Sequence, residues 1–397
     1  MAFEALRDTQ RTMAETLERV LAEGMLPQTL LFSGHTGSSR LTAALDLAFL
    51  LTGEEDRREM LSSQHISLFL SRPLRAELSA ASSLLLRQRN SRSRRFYLQS
   101  VRKVLMQYHQ SVASLHREAS GAKGIRDERL DGDKSVSAAA SLIDERLMAI
   151  EEEREYSESE IKEAVSEIDA LLTDAVINVG KKTAGATIEE IRATQAWLQE
   201  GIDEKVVIFE NPEDYAEGAK NSLLKLLEEP PEHAHLILLS KSPSRLLETI
   251  LSRCRKFSFP ELPPERISAF IAQSFLIYGS YGSFDEFFFE EGADEGERKA
   301  MEGNIEAYYG ALRDGRMLPP SEEDRIFSSL EKSGGYRYFS SMILSRLEKA
   351  LRDGSMGSGR ARKLYAALSE GIRRSETYNM PMRISLDLVL REAEDVS

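Results

Sequence analysis

The fold of this chain is decided by the segment from Lys205 to Phe259, which reads KVVIFENPEDYAEGAKNSLLKLLEEPPEHAHLILLSKSPSRLLETILSRCRKFSF. Its first apolar run, 206–209, is bounded by charged residues, as expected of a strand that is covered on both faces of a parallel sheet. Residues 219–229 place leucines on one face at helical spacing, and Pro230 and Pro231 end that helix. The run 236–239 predicts a second buried strand, and 243–251 predicts a short helix. Together these elements predict an α/β core.

Two motifs in this segment resemble a known family. The helix reads NSLLKLLEEPP from Asn221 to Pro231, and Ser252-Arg253-Cys254 follows after the second strand. In this order the motifs resemble bacterial clamp-loader subunits of the AAA+ class, which implies a P-loop-type parallel sheet core. The resemblance also implies that Arg253 is an arginine finger, which reaches the γ-phosphate of ATP on a neighbouring subunit. A guanidinium suits this role because it is always charged and its planar fork matches phosphate oxygens. The alternative is a surface arginine at a helix end.

A degenerate nucleotide site is predicted near the start of the chain. Residues 33–41, SGHTGSSRL, follow an apolar strand and precede an apolar helix, where a nucleotide-binding P-loop belongs. The loop keeps glycine at Gly34 and Gly37. Arg40, however, replaces the phosphate-binding lysine, and Leu41 replaces the Ser or Thr that would ligate Mg²⁺. A leucine cannot ligate a metal ion.

The acidic half of the predicted site is altered as well. The resemblance implies an Asp-Glu pair after the strand 206–209, but Glu210 and Asn211 stand there, and a neutral amide cannot act as a base. Ser240 occupies the sensor position of the family and is interpreted as a strand-end hydrogen-bonding residue. These substitutions predict a subunit that has lost ATP hydrolysis and holds no cofactor of its own, ATP and Mg²⁺ being bound by neighbouring subunits. Within the family, the combination resembles the delta-prime type rather than the ATP-hydrolysing gamma/tau type.

Composition excludes several other classes of protein. The net charge of −13 argues against a protein that wraps DNA by itself, since Lys and Arg dominate duplex binding. The single cysteine excludes a disulfide framework and a thiolate zinc site, and His65 has no ligands at metal spacing, so no metal site is predicted. No apolar run approaches the length of a membrane span and the first residues lack signal-peptide features, so a cytoplasmic location is expected.

The chain is predicted to fold in five parts. They are the AAA+ core in two segments (1–70 and 181–260), a long helical insertion (71–180), a small helical lid (261–318) and an all-α C-terminal collar domain (319–397). Within the insertion, the arginine-rich stretch 87–103 and the glutamate-rich stretch 141–176 predict two long amphipathic helices of opposite charge, paired as an antiparallel hairpin. The alternative that these arginines contact DNA or a partner stays open.

The resemblance implies a non-hydrolysing subunit of the DNA polymerase III clamp-loader complex, within the DNA polymerase III holoenzyme. Its implied partners are the gamma/tau and delta subunits, the sliding clamp and, through the complex, primed DNA. Two other functions stay open. One is an ATP-hydrolysing gamma/tau-type loader or motor with an unorthodox P-loop, against which Leu41 and Asn211 argue. The other is a scaffold in which the insertion is the working part, against which the retained Arg253 argues.

Overall fold

The computed structural model describes residues 3–35, 37–54, 63–71, 74–106, 136–151, 157–172, 185–333, 335–378 and 381–395. The chain divides into two compact units. Unit 1 comprises Met1–Leu74 and Ala81–Ser280, and unit 2 comprises Arg75–Ala80 and Tyr281–Ser397. The finer division into five parts stays a prediction. None of the described helices is long and apolar enough to cross a membrane.

Unit 1 is built on a five-stranded sheet with the strand order β2-β3-β4-β1-β5. Each neighbouring pair of strands runs parallel. The first three strands along the chain are buried along their whole length, as their predominantly apolar sequences indicate. The prediction of an α/β core with a parallel sheet is therefore confirmed. The strands are β1 (Thr29–Ser33), β2 (Ile66–Phe69), β3 (Lys205–Glu210), β4 (Ala234–Ser240) and β5 (Arg255–Ser258).

Helices surround this sheet, and one apolar cluster joins it to them. Trp197 is 5% exposed and packs with Val207, Leu223 and Leu238, so it is a core residue. The first residues of helix α3 (Arg75–Gln88), up to Ala80, belong to unit 2, and the rest belong to unit 1. The other helices of unit 1 are α1 (Glu4–Ala22), α2 (Arg40–Thr52), α4 (Ser91–Leu105), α5 (Val136–Glu151), α6 (Glu158–Ala170), α7 (Ile188–Leu198), α8 (Glu217–Glu228), α9 (Glu248–Leu251) and α10 (Pro264–Phe275).

Residues 243–251 do not form the single short helix that their sequence predicts. A 3-10 turn at Pro243–Arg245 is followed by α9, and the backbone between them is extended at Leu246 and Leu247. Leu246 is 5% exposed and packs into the apolar cluster, and Arg245 forms an ion pair with Asp214 at 2.7 Å. These two long-range contacts fix the first turn, so the chain must leave helical geometry before α9 begins.

The described part of the insertion contains four helices, so the prediction of two long helices is wrong. The basic stretch breaks at Arg89, which has φ 50, and at Asn90, whose side chain accepts from Ser93 N to start α4. The acidic stretch breaks before Ser157, which forms a capping box with Glu160 at the start of α6. Each break therefore coincides with an N-cap. Residues 107–135, 152–156 and 173–184 of the predicted hairpin lie outside the described residues.

Ion pairs join the basic and acidic helices of the insertion. Arg89 pairs with Glu158 at 2.8 Å, and Arg102 on α4 pairs with Asp144 on α5. These pairs neutralise part of the basic stretch within the chain, in agreement with the self-paired interpretation.

Unit 2 contains helices and no strand within residues 281–395 that the structure describes. The helix Tyr336–Asp353 ends at Gly354, which has φ 71. Phe287 and Phe289 are buried, so the aromatic run of α11 belongs to an ordinary core-facing helix. The last described helix starts at Met382, directly after Pro381. The helices are α11 (Phe284–Gly292), α12 (Glu295–Asp314), α13 (Pro320–Ser333), α14 (Tyr336–Asp353), α15 (Ser358–Tyr378) and α16 (Met382–Asp395).

Candidate functional site

The predicted nucleotide-site residues come together at one edge of the sheet. In a parallel sheet the carboxyl ends of the strands share an edge, and β1, β3 and β4 end there at Ser33, Glu210 and Ser240. Gly34 N donates to the Ser240 carbonyl oxygen at 3.1 Å, and Asn211 N donates to the carbonyl oxygen of Leu239 at 2.7 Å. The loop after β1 therefore lies beside the end of β4, which is in turn bonded to the end of β3.

Close packing explains why a glycine begins the loop. A Cβ atom at Gly34 would lie 2.5 Å from the Phe259 carbonyl oxygen and 2.7 Å from Ser38 Oγ. The Gln10 side chain, on a kinked turn of α1, donates to the carbonyl oxygens of Ser38 at 3.3 Å and Pro260 at 2.6 Å. The loop is thus fixed against α1 and against the segment that follows β5.

The second part of the loop contains two residues in left-handed conformations. Gly37 has φ 85, and Ser39 has φ 64, a left-handed conformation that non-glycine residues rarely adopt. Helix α2 then begins at Arg40, whose exposure is only 4%, and Leu41 is 9% exposed. Leu41 offers no oxygen to a metal ion. Among the described residues, no group of three or more His, Cys, Asp and Glu side chains could hold a metal ion. The residues present here do not fit a bound Mg²⁺–ATP.

Glu210 and Asn211 are both bonded to Ser71, which follows β2. Glu210 Oε2 accepts from Ser71 N at 3.1 Å, and Asn211 Nδ2 donates to Ser71 Oγ at 2.6 Å. Asn211 has φ 47, a left-handed conformation that asparagine tolerates better than most residues. Both side chains are buried. Glu210 and Asn211 thus hold the ends of β2 and β3 together, and the Asn211 amide cannot accept a proton from water.

Ser240 makes the contacts of a strand-end residue. It is fully buried, and its Oγ accepts from Ser242 N at 3.2 Å. Glu213, which is absent from the predicted site, accepts from Lys241 N and from Ser242 N, each at 2.9 Å. The segment after β4 is therefore held by a buried carboxylate. The signal for it is the run of acidic residues after β3, whose partners the sequence does not reveal.

Arg253 lies at the opposite edge of the sheet. It precedes β5, whose first residue pairs with Leu30 near the start of β1, and its carbonyl oxygen accepts a hydrogen bond from Thr29 Oγ1. Strand β1 has five residues. At a rise of about 3.3 Å per residue, about 13 Å of strand separates this amino edge from the loop after β1. The structure does not bring Arg253 together with the predicted nucleotide-site residues at the other edge.

The Arg253 side chain is held at two points and is partly exposed. Nη1 donates to the Thr249 carbonyl oxygen at 2.7 Å, and Nη2 donates to Glu228 Oε1 at 2.8 Å. The side chain retains 34% exposure. Its backbone N–H donates to the carbonyl oxygen of Ile250 at 3.1 Å. Glu228 is not among the residues predicted from the sequence, although it stands in the leucine-rich motif itself.

The residues on either side of Arg253 are structural in their contacts. Ser252 Oγ donates to the Thr249 carbonyl oxygen at 3.1 Å. Cys254 packs against the apolar cluster, and burial raises the pKa of its thiol to about 12. A thiol with this pKa stays protonated at neutral pH and is a poor nucleophile.

Comparison with known proteins finds similarity to subunits of DNA polymerase III. Residues 130–263 match the family model described as DNA polymerase III, delta subunit. The chain is 35% identical over 99 residues to DNA polymerase III subunit tau of Bacillus subtilis (strain 168), covering 25% of this chain and 17% of that protein. It is 41% identical over 63 residues to subunit delta' of the same organism, covering 16% of this chain and 19% of that protein. It is 50% identical over 56 residues to subunit delta' of Pseudomonas aeruginosa, covering 14% of this chain and 17% of that protein.

The chain thus spans less than a fifth of the length of each of these three relatives. The family match includes β3, α8, β4 and the Arg253 motif. Residues 130–263 are therefore similar to delta-type subunits of DNA polymerase III, and the aligned stretches of this chain are similar to its tau and delta' subunits.

Proposed function

We propose that this chain is a non-hydrolysing, delta-prime-type subunit of a DNA polymerase III clamp-loader complex, and that it donates Arg253 to the ATP site of a neighbouring subunit. One observation carries the proposal. Arg253 and the loop after β1 lie at opposite edges of one sheet, so the arginine cannot reach a phosphate held by its own loop. A phosphate on another chain is the remaining target for a partly exposed guanidinium.

The chemistry of the loop supports the absence of ATP hydrolysis. Arg40 and Leu41 remove the compact ammonium and the metal-binding hydroxyl of a working P-loop. Asn211 removes the general base, and its amide is already bonded to Ser71. Three separate groups that the reaction needs are thus replaced in one place.

Arg253 is suited to stabilise charge on a transferring phosphoryl group. Its backbone is bonded on both sides, to the Ile250 carbonyl oxygen of α9 and to the Thr29 hydroxyl of β1, so its Cα is fixed between a helix and the sheet. A preorganised cation costs little reorganisation when negative charge develops on the equatorial phosphate oxygens. Fingers of this kind contribute roughly 10³ to 10⁵ in rate in other phosphoryl-transfer proteins.

The partners follow from the family and are part of the proposal. They are gamma/tau subunits, one of which would receive Arg253, the delta subunit, the sliding clamp and primed DNA, in the cytoplasm. The net charge of −13 supports contact with DNA through the complex rather than by this chain alone.

A second candidate is favoured by the match to subunit tau, which has the longest aligned stretch of the three relatives described above. In that case the chain is an ATP-hydrolysing gamma/tau-type subunit with an unorthodox P-loop. Arg40 would then have to bind phosphate in place of lysine. Measurement of ATP binding and turnover by the isolated chain separates the two candidates. The delta-prime-type proposal expects neither above background. Turnover that disappears in Arg40→Ala would favour the second candidate.

The finger itself is tested in the assembled complex with clamp and primed DNA. Arg253→Ala should lower ATP turnover at least tenfold at the neighbouring site, because the charge on the γ-phosphate loses its cation. Arg255→Ala is the matched control, since Arg255 is exposed two residues later and bonds the Met25 carbonyl oxygen at 3.0 Å. Equal turnover in the two variants would contradict the proposal.

A further inference from the structure

We propose that Glu228 is the positioning residue for Arg253, aiming its guanidinium at the phosphate of the neighbouring subunit. The inference rests on the proposed function, and it adds a residue to which the family resemblance gives no role. Glu228 does not touch the phosphate in this account. It acts only through the orientation of Arg253.

The two anchors of Arg253 come from two different elements. Thr249 belongs to α9, immediately before the motif, whereas Glu228 is the last residue of α8. The bonds of 2.7 Å and 2.8 Å go to different terminal nitrogens, Nη1 and Nη2, so together they fix the plane of the guanidinium. A planar group held at two nitrogens keeps its Nε–H and its second N–H protons in fixed directions.

Glu228 also stands where local helix energetics disfavour an acidic residue. The backbone carbonyl groups of α8 point toward its C-terminus and give that end a partial negative charge. This charge favours Lys or Arg in the last turn and disfavours a carboxylate. Two acidic residues, Glu228 and Glu229, nevertheless end the helix. A residue that breaks a local rule and gains a compensating contact elsewhere is a candidate for a functional role. For Glu228 that contact is Arg253; Glu229 makes no bond to it in the described part of the chain.

Glu228 could affect the finger through its shape or through its charge, and the two effects have opposite signs. As a hydrogen-bond acceptor it orients the guanidinium, so its loss slows the reaction. As an anion it weakens the positive potential that the phosphate meets, so its loss speeds the reaction. The partial exposure of both side chains, 34% and 42%, means that water screens the charge effect more than the bonded geometry. Orientation should therefore dominate.

Glutamine and alanine at position 228 separate these effects. Glu228→Gln keeps an acceptor oxygen and removes the charge, whereas Glu228→Ala removes both. In the assembled complex with clamp and primed DNA, Glu228→Ala should lower kcat for ATP about fivefold, the order expected when a long side chain loses one of two anchors. The KM for ATP should stay unchanged, since the neighbouring subunit binds the nucleotide. Glu228→Gln should restore most of the lost rate, and Glu229→Ala, the matched control, should equal wild type.

Comparison with Arg253→Ala distinguishes failure of this inference from failure of the proposed function. Glu228→Ala should have no further effect in the Arg253→Ala background, because its role acts only through that arginine. If Arg253→Ala alone leaves turnover unchanged, the proposed function fails and the inference with it. If Arg253→Ala slows turnover but Glu228→Ala turns over ATP at least as fast as wild type, only the positioning role is wrong. The same conclusion holds if Glu228→Ala slows turnover as much in the Arg253→Ala background as it does in wild type.

Discussion

Replacing Asp169 with asparagine should stabilise the insertion at neutral pH and leave its stability unchanged in mild acid. Asp169 lies on α6, where both of its carboxylate oxygens accept from Ser82 Oγ, at 3.2 Å and 3.0 Å. Tyr97 on α4 packs beside it and is fully buried. Burial raises the pKa of Asp169 from 3.8 to about 6, against the opposing effect of the hydrogen bonds from Ser82.

The sign and size of the effect follow from this pKa. A carboxyl whose pKa is higher in the folded state than in the unfolded state binds its proton more tightly when folded. The penalty for the ionised form is therefore absent below the unfolded pKa, and it is complete once the pH has risen through about 6. The rise from 3.8 to about 6 corresponds to about 3 kcal/mol. Asparagine keeps an acceptor for Ser82 and has no charge to bury, so it avoids this penalty.

Urea titrations of wild type and Asp169→Asn between pH 4 and pH 8, followed by circular dichroism, measure the difference. The variant should be more stable at pH 8 by up to about 3 kcal/mol, and the difference should vanish near pH 4. Ser82→Ala provides a second check, since losing its bonds raises the pKa of Asp169 further and moves the penalty to higher pH. A difference between wild type and Asp169→Asn that does not depend on pH, or a variant that is less stable at pH 8, would refute this reasoning.

Three further predictions concern single side chains. Lys205 Nζ donates to the Trp197 carbonyl oxygen at 2.6 Å and lies 4.7 Å from the centroid of the Trp197 ring. Lys205→Met should therefore lower the free energy of unfolding by about 1–3 kcal/mol. Urea unfolding followed by the fluorescence of the only tryptophan measures this loss. Arg360 donates to carbonyl oxygens at the ends of α12 and α16, at 3.0 Å and 2.7 Å. Arg360→Ala should lower the free energy of unfolding of unit 2 by about 2–3 kcal/mol in thermal unfolding, because two helix ends lose their hydrogen-bond donor. Replacing the exposed Arg362 with alanine should leave that free energy almost unchanged. Equal losses in the two variants would argue against a role of Arg360 in capping the two helices. Because burial raises the pKa of Cys254 to about 12, disulfide reagents should modify it slowly in the native protein and rapidly in urea; fast native labelling would contradict its burial.

The strands could be predicted because their burial leaves a direct trace in the sequence. A strand covered on both faces must be apolar at every position, and the runs 206–209 and 236–239 meet that requirement. Their ends extend one or more residues further in the structure, to Lys205 and Glu210 in β3. Polar residues at strand ends pair their backbones as well as apolar ones do, so hydropathy does not mark these limits.

The helix breaks in the insertion could be predicted in part from the sequence. Ser157 and Glu160 have the spacing of a capping box, a local signal that the long acidic stretch obscures. The left-handed residue Arg89 carries no comparable signal, since arginine is rarely chosen for that conformation. Local motifs therefore specify where a helix starts more clearly than where it must stop.

The partners of the candidate site could not be predicted. That Gly34, Glu210 and Ser240 share one edge follows from parallel strands alone. The bonds of Glu210 and Asn211 to Ser71 do not, because they join residues far apart in the chain, and no periodicity relates them. The contact between Glu228 and Arg253 is hidden for the same reason, although both residues lie within the family motifs.

The central claim is that Arg253 acts on a phosphate held by another subunit. Its most direct test is the single-turnover rate of ATP hydrolysis by the assembled complex, bound to clamp and primed DNA, with wild type, Arg253→Lys and Arg253→Ala compared at saturating ATP. The account predicts the order wild type, lysine, alanine, because lysine keeps the charge but loses the planar fork, while the isolated chain hydrolyses nothing. Equal rates for all three would contradict it and would make Arg253 a structural residue of the amino edge.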